Sequence, residues 1–407
     1  MPKVSIVKGH PQERPENYTE KDLAIVRKMI EESLENLGGL DKLMGHVNSV
    51  MIKPNLVEVP HPSTEGSVLT DPRVIEALVM ILKDYGVPHV YVGEGKSVNL
   101  RHVQSTTKDA FRNSGLTEVI ERAGGEVRGW DEEPFAEIAE PTLKLWDKIR
   151  VPQSILDCDY FINVPKLKTH GQTEITCAIK AMQGVYRTDD KIRFHNEAFP
   201  WKMVDMLRVA KPDLNIVDGL ICGEGFGPIY TEAVDMGLIV ASTDPVATDA
   251  VCGKIMEIEP WEVPITRLAW AEGMGEMHLD KIEFVGEPLE NCCRHFKRSS
   301  IWNPIGIHPH IKIYAGNACR FTLAQIAACI RRLQLDHLDT KLNQDVCIIV
   351  GCNAPVPRED YGNKVIIVGD DAMDHPYYKE GRGDFIGGNP PLPSIQIKEM
   401  IEKYLDK

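Results

Sequence analysis

The feature that most limits the fold is an alternation of short apolar runs with segments of helical periodicity. VSIVK at 4–8 reads as a strand, and DLAIVRKMIEESLENLGGL at 22–40 reads as a helix that Gly38 and Gly39 would stop. SVMIKPNLV at 49–57 is a strand running into Pro54 and Asn55. In TDPRVIEALVMILKDYGV at 70–87, Thr70 or Asp71 can cap, Pro72 suits the first turn and Gly86 suits the stop. Its apolar face is Val74, Leu78, Ile81 and Leu82. HVYVGEGK at 89–96 then delivers Glu94, Gly95 and Lys96 to a strand's C-terminal end, the side on which parallel sheets bind ligands.

The alternation continues through AFRNSGL and VIERAGGEVRGW, the strand CDYFINVP at 158–165, and VDMLRVAKPDLNIVDGL at 204–220, which is helix, Pro break and strand. That strand is expected to empty into a Gly-rich loop, ICGEGFGPIY, flexible enough for backbone to approach a ligand or another loop. MGLIVASTDPVATDAVCGKIM at 236–256 is strand, loop and helix, and KIEFVGEPL at 281–289 closes the pattern. The predicted class is α/β: a larger, mostly parallel-sheet domain over 1–288 and a smaller α/β domain over 289–407. The tail supplies a helix at 318–334, strands VCIIVG and KVIIVG, and a closing helix IQIKEMIEKYL. A chain of 407 residues has length for two such domains.

Between Cys158 and Asn196 the chain concentrates Lys166, Lys168, His170, Lys180 and His195, interrupted by Gly171 and Gly184. Buried charge is costly unless paired, so this span is the candidate active site. After the strand, an amphipathic segment is expected around 172–183 and a polar loop up to His195. His170 in a cleft would suit acid/base work near neutral pH. Lys166, Lys168 and Lys180 could hold a carboxylate or phosphate; solvated surface lysines are the plain alternative for the first two. Lys180 differs because AIKAMQGV is otherwise apolar, so its charge calls for a partner or an anionic ligand, and burial could make it a base or a nucleophile. Lys53, Asn55, Lys96 and Thr169 complete the expected anion-binding set. Asp244, before Pro245, reads as a helix cap, with a metal or substrate role as the alternative.

Bulk properties exclude several classes. A net charge of -14 speaks against nucleic acid as a main partner, although a local basic pocket remains open. No apolar run is long enough to span a bilayer and MPKVSIVKGH lacks a secretory apolar core, so no membrane partner and a cytoplasmic location are expected. Ten cysteines are few for a disulfide scaffold of this length, and Cys177, Cys222 and Cys252 read as small buried hydrophobes. GEGFG lacks dinucleotide spacing and no GxxxxGK[ST] occurs.

IKPNLV, TDPRVIEALVMILKDYG, FINVPKLKTHG, IKAMQGV, RFHN, DGLICGEGFGP and ASTDPVATDAV together resemble the family called domain of unknown function 362, across residues 48–285. The central stretch is also similar to the nickel-pincer lactate racemase family. That resemblance implies an acid/base role for His170, attachment of a pincer-type nucleotide to Lys180 and nickel ligation by His195. The second catalytic histidine of that family has no counterpart: GEGK stands in its place, so Glu94 or Lys96 would have to substitute. Members of the 362 family often carry a cysteine-ligated iron–sulfur region, which GNACRFT, VGDDAMD and GGNPP resemble. Of its thiolates only Cys319 is present, with Thr322, Asp371 and Asn389 at the other positions, which predicts against a standard four-cysteine cluster. Cys352 in VGCNAP is expected at a strand terminus, exposed and reactive.

The reading favoured by these residues is an isomerase- or epimerase-like enzyme. It would move a proton on a small carboxylate or phosphate-bearing compound in an interdomain cleft, with His170, Lys180 and Glu94 as catalytic residues and His195 and Asp244 as metal ligands. A redox, metal-carrier or iron–sulfur-related electron-transfer protein and a catalytically silent binding subunit are the alternatives. Cofactor, metal and oligomeric state, a homo-oligomer included, stay open.

Overall fold

The structure is a computed structural model and describes residues 1–57, 62–97, 106–299, 304–388 and 394–405. Two compact units divide it: Met1–Arg193 with Phe199–Arg298, and Phe194–Ala198 with Ser299–Lys407. The fold class is the one the alternation predicts. No helix among the described residues is long and apolar enough to cross a membrane.

In the first unit the strands are β1 (Lys3–Lys8), β2 (Ser49–Pro54), β3 (His89–Glu94), β4 (Glu126–Gly129), β5 (Phe135–Ile138), β6 (Ile149–Pro152), β7 (Tyr160–Val164), β8 (Lys166–His170), β9 (Glu174–Thr176), β10 (Leu214–Phe226), β11 (Tyr230–Ser242) and β12 (Glu283–Gly286). Ten of them form one sheet with the path β12-β1-β11-β10-β7-β2-β3-β4, while β5 and β6 pair separately. Along that path only β11 runs against the rest. The ends of β2, β3 and β7 therefore open on the same edge.

Helix grammar is kept where the sequence states it. In Pro72–Tyr85 the Asp71 side chain accepts the Arg73 N–H, Pro72 opens the first turn, and Gly86 closes it at φ 99°. Thr70, the other candidate cap, is used instead to bridge loops, accepting from Asn55 N–H and donating to the Val164 carbonyl. Val74, Leu78, Ile81 and Leu82 all enter the core against β2, β3 and the helix Glu20–Asn36. Each such side chain contributes roughly 1.5–3 kcal/mol when fully buried.

Gly38 and Gly39, both at positive φ, stop the first helix as expected, just after Asn36, and lead into a separate one-turn helix Leu40–Leu43. Two local expectations are corrected. The segment around 172–183 is not one amphipathic element. Pro165 ends β7, the chain resumes as β8, turns back as β9, and only then forms the short helix Ala178–Ala181 and a 3-10 turn Met182–Val185. The Gly-rich loop expected after 220 is strand: β10 runs through Phe226 and pairs with β11 across its length. Its glycines serve close packing. A Cβ on Gly223 would lie 2.9 Å from the Lys168 Cβ, and one on Gly227 would lie 1.8 Å from the Thr169 carbonyl oxygen.

The second unit carries a four-stranded parallel sheet in chain order, β13 (Ile311–Ala315), β14 (Val346–Val350), β15 (Val365–Val368) and β16 (Asp384–Ile386). The first and last of these are additions to the two strands read from the sequence. Ile348, Val350 and Ile366 face the helices Arg320–Leu335 and Ser394–Glu402, while Cys347, Ile349 and Ile367 pack on the opposite face.

Candidate functional site

Lys53 is the penultimate residue of β2 and Glu94 ends β3, neighbouring parallel strands in register at Ile52 and Val92. Their side chains meet: Lys53 Nζ lies 2.6 Å from Glu94 Oε2, with both residues almost wholly buried. Lys53 also donates to the Pro54 carbonyl at 3.1 Å, and the second Glu94 oxygen accepts the Gly95 N–H at 2.9 Å. Against this pair lies Gly184, where a Cβ would stand 1.9 Å from Glu94 Oε1 and 2.7 Å from Lys53 Cε. The turn that contains Gly184 thus packs backbone directly on the ion pair, which no larger residue permits.

Just before that turn comes Lys180, on the helix Ala178–Ala181. Two buried side chains hold the helix in place. The Asp249 carboxylate accepts the Ile179 N–H at 3.3 Å, and Asn163 Nδ2, itself 3.0 Å from Asn215 Oδ1, donates to the Ala178 carbonyl at 2.9 Å. Lys180 has no hydrogen-bonded or ion-paired partner among the described residues. Burial, helped by the Lys53 and Lys191 charges and opposed by Glu94, pushes its ammonium down to about 8.

Lys191 joins the cluster from the next turn. Its Nζ donates to the Lys96 carbonyl at 3.0 Å, and burial lowers it to about 8, with Glu94 opposing and Lys53 adding to the shift. The Lys191 carbonyl accepts from Gln183 Nε2 and from Lys202 Nζ, both at 2.9 Å. Lys202 donates to the carbonyls of Asp190 and Arg193 as well, tying off the last turn of Thr188–Ile192, and its own ammonium is pushed well down by burial. The buried Gln183 Oε1 and Asn163 Oδ1 meet no donor among the described residues. Lys53, Lys180 and Lys191 thus gather at Glu94, with Asp131 acting on Lys191 as well, a local excess of positive charge that favours an anion.

The other expected residues fall in different places. Lys166 and Lys168 are not solvated surface lysines but fully buried: Lys166 Nζ pairs with Asp218 at 2.8 Å, and Lys168 Nζ donates to the Val68 carbonyl at 2.7 Å. Asn55 Nδ2 donates to the same carbonyl at 2.9 Å, and Thr169 Oγ1 donates to the Gly225 carbonyl at 3.1 Å. These four groups knit loops and hairpin together. His170 ends β8, nearly buried, with Nδ1 accepting the Gln172 N–H at 3.0 Å. Lys96 enters the cluster through its carbonyl. Asp244 caps the helix Pro245–Ile255 by accepting from Val246 and Ala247 N–H, and its other oxygen accepts from Glu276 N–H.

His195 belongs to the second unit, its ring 4.2 Å from that of Phe321. Among the described residues no group of three or more His, Cys, Asp or Glu is placed to hold a metal ion. In the tail Cys319 caps the helix Arg320–Leu335 through its sulfur, and Thr322 lies 3.2 Å from it, while Asn389 lies outside the described residues. Cys352 is half-buried, just beyond the end of β14, and Cys177, Cys222 and Cys252 are fully buried.

Sequence reasoning missed Lys191, Gln183, Lys202 and Asp249. Lys191 sits in DDKIRF, a run of charge that reads as solvent-facing, yet its side chain is buried and its Nζ reaches the Lys96 carbonyl.

Among curated proteins, the chain is similar to the thylakoid-associated protein sll1697 of Synechocystis sp., 24% identical over 278 residues, 67% of this chain and 83% of that protein. Among solved structures, the lactate racemase apoprotein from Thermoanaerobacterium thermosaccharolyticum is similar at 15% identity and a TM-score of 0.39, over 57% of this chain; the match spans only 55% of the racemase. A protein from Thermotoga maritima is similar at 12% identity and a TM-score of 0.37, over 86% of this chain and 90% of that one. The family model described as Domain of unknown function (DUF362) matches residues 50–254, which is just over half of the 407 residues and takes in Lys53, Glu94, Lys180 and Lys191. The chain belongs to the DUF362 family.

Proposed function

We propose that this protein is an enzyme that binds a small carboxylate or phosphate-bearing compound at the Lys53–Glu94–Lys180–Lys191 cluster and moves a proton on it. One observation carries the reading: three buried lysines gather at Glu94, and Lys180 has no hydrogen-bonded or ion-paired partner among the described residues. An anionic substrate would complete the charge balance that the chain leaves open. Lys180 and Lys191, both lowered to about 8, are suited to exchange protons near neutral pH, where an amine of ordinary pKa would stay locked as ammonium. Glu94, held by Lys53, is the adjacent group able to receive or return that proton. In this reading His170, on its own hairpin, helps shape the strand ends, while Lys180 takes the acid/base role.

The test is solvent exchange. Small 2-hydroxy, 2-oxo and phosphorylated acids are incubated with the protein in deuterated buffer, and deuterium at C2 of the hydroxy acids, or at the carbon next to the carbonyl of the oxo acids, is followed by NMR, beside thermal unfolding with phosphate or oxalate. Exchange that disappears in Lys180→Met, together with stabilisation by the anions, is expected. Anions that leave unfolding unchanged, or exchange that persists in the variant, would refute the proposal.

A further inference from the structure

We infer that Lys180 is a covalent site: its amine condenses with the carbonyl carbon of a small oxo-carboxylate to form an imine, while Lys53 and Lys191 hold the carboxylate. This rests on the anion site proposed above and names the substrate class it would take. Imine formation needs an amine that is neutral part of the time, shielded from water, next to a group that can pass protons, and close to cations that fix the substrate's charge.

Each requirement has a counterpart in the cluster. Lys180 is nearly buried on a helix pinned from both sides by Asp249 and Asn163, so its stem is directed by packing rather than by an ion pair of its own. Burial and the neighbouring Lys53 and Lys191 charges all act to release its proton. The Gly184 turn closes on the Lys53–Glu94 pair with no room for a side chain. Glu94 is the carboxylate that acts on Lys180 electrostatically, in the direction that retains the proton. A carboxylate held by Lys53 and Lys191 would share them with Glu94 and the Lys96 carbonyl. The amine left over is Lys180.

The balance closes without an outside redox partner. The Lys180 lone pair forms a C–N bond, and the carbonyl π electrons move to oxygen. Glu94 accepts a proton from nitrogen and returns it to that oxygen, which leaves as water once a second proton arrives from solvent. The product is a protonated imine, and its positive nitrogen acidifies a C–H on the carbon next to the imine carbon, C3 of pyruvate or C2 of acetoacetate, while glyoxylate, which has no such C–H, probes imine formation alone.

The full-length protein is incubated separately with pyruvate, glyoxylate and acetoacetate, reduced with sodium borohydride, digested and mapped by mass spectrometry. At least one of the three is expected to label Lys180 tenfold or more above any other lysine, with labelling suppressed by excess oxalate and faster at pH 9 than at pH 7. Mapping within the wild-type chain makes the result independent of whether Lys180→Arg folds. Labelling spread evenly over exposed lysines, or none at Lys180 with all three probes, overturns the imine. If oxalate still stabilises the protein in that case, the anion site stands and only the covalent step falls. If oxalate has no effect either, both readings fall.

Discussion

Lys53 and Glu94 lie at the ends of adjacent parallel strands and form a buried ion pair with Nζ and Oε2 2.6 Å apart. Coming from consecutive strands of one sheet, the two charges are fixed by backbone register as well as by attraction. Breaking such a pair from one side leaves an uncompensated buried charge. Replacing Glu94 by Gln leaves three lysines facing one another. The expected loss is about 3–5 kcal/mol of stability by urea unfolding, with a substantial part recovered by millimolar phosphate. Equal unfolding curves for the two proteins would mean that the pair is solvated in solution.

Lys180 makes stability depend on pH in a definite sense. Its ammonium is lowered to about 8 in the folded chain from 10.5, so the folded state binds fewer protons than the unfolded one between those values. The cost of burying the charge is complete below pH 8 and fades as pH rises toward 10.5. Lys180→Met should therefore raise the unfolding temperature at pH 7, with the gain shrinking steadily by pH 9.5. A gain that does not vary with pH would show that packing, not charge, is the cause.

The Lys166–Asp218 pair lies deeper, with no exposure on either side chain, and Asp218 also accepts the N–H of Asp71 at 2.7 Å. Burial pushes the Asp218 carboxyl up while Lys166 holds it down. Lys166→Met removes that hold. The variant should lose on the order of 3–5 kcal/mol near pH 8 and visibly less near pH 5, where Asp218 can take up a proton. Denaturation at the two pH values measures the difference; a loss of equal size at both would contradict this account.

Asp249 works in the opposite pH window. Its carboxyl, raised to about 7 mainly by burial, keeps a proton that the unfolded chain loses from about 3.8 upward, so its contribution falls as pH climbs between those values. Thr266 Oγ1 lies 3.4 Å from one of its oxygens, and the other supports the helix carrying Lys180. Asp249→Asn should flatten the stability difference between pH 5 and pH 8 relative to wild type. An unchanged slope by calorimetry would place the carboxyl's titration outside that range.

Much of the sheet was legible because each strand and helix carries local signals: alternation of apolar runs, Asp71-Pro72 and Asp244-Pro245 at helix starts, Gly86 at a helix end. The long hairpin of β10 and β11 was not, since glycines mark loops in isolation and here permit two backbones to approach. For the site, Glu94, Lys53 and Lys180 could be picked out as charges at strand ends or in apolar context. What no local pattern showed was which lysines are answered inside the chain. Lys166 finds Asp218 more than fifty residues away, Lys191 finds the Lys96 carbonyl at a still greater separation, and such pairings are set by topology rather than by spacing.

Gly184 offers the sharpest separation of site from scaffold. A Cβ there would overlap Glu94 Oε1 at 1.9 Å and press on Lys53 Cε at 2.7 Å, so Ala cannot be accommodated while the pair keeps its geometry. Overpacking of this kind typically costs about 1–3 kcal/mol, a loss that a large α/β core can absorb. Gly184→Ala should therefore fold, with a modest fall in unfolding temperature, yet lose the stabilisation by phosphate or oxalate, because the displaced Glu94 carboxylate is driven toward the lysines that would hold the anion. A variant that folds and still binds oxalate as tightly as wild type would show that the anion does not use the space between Glu94, Lys53 and Lys180.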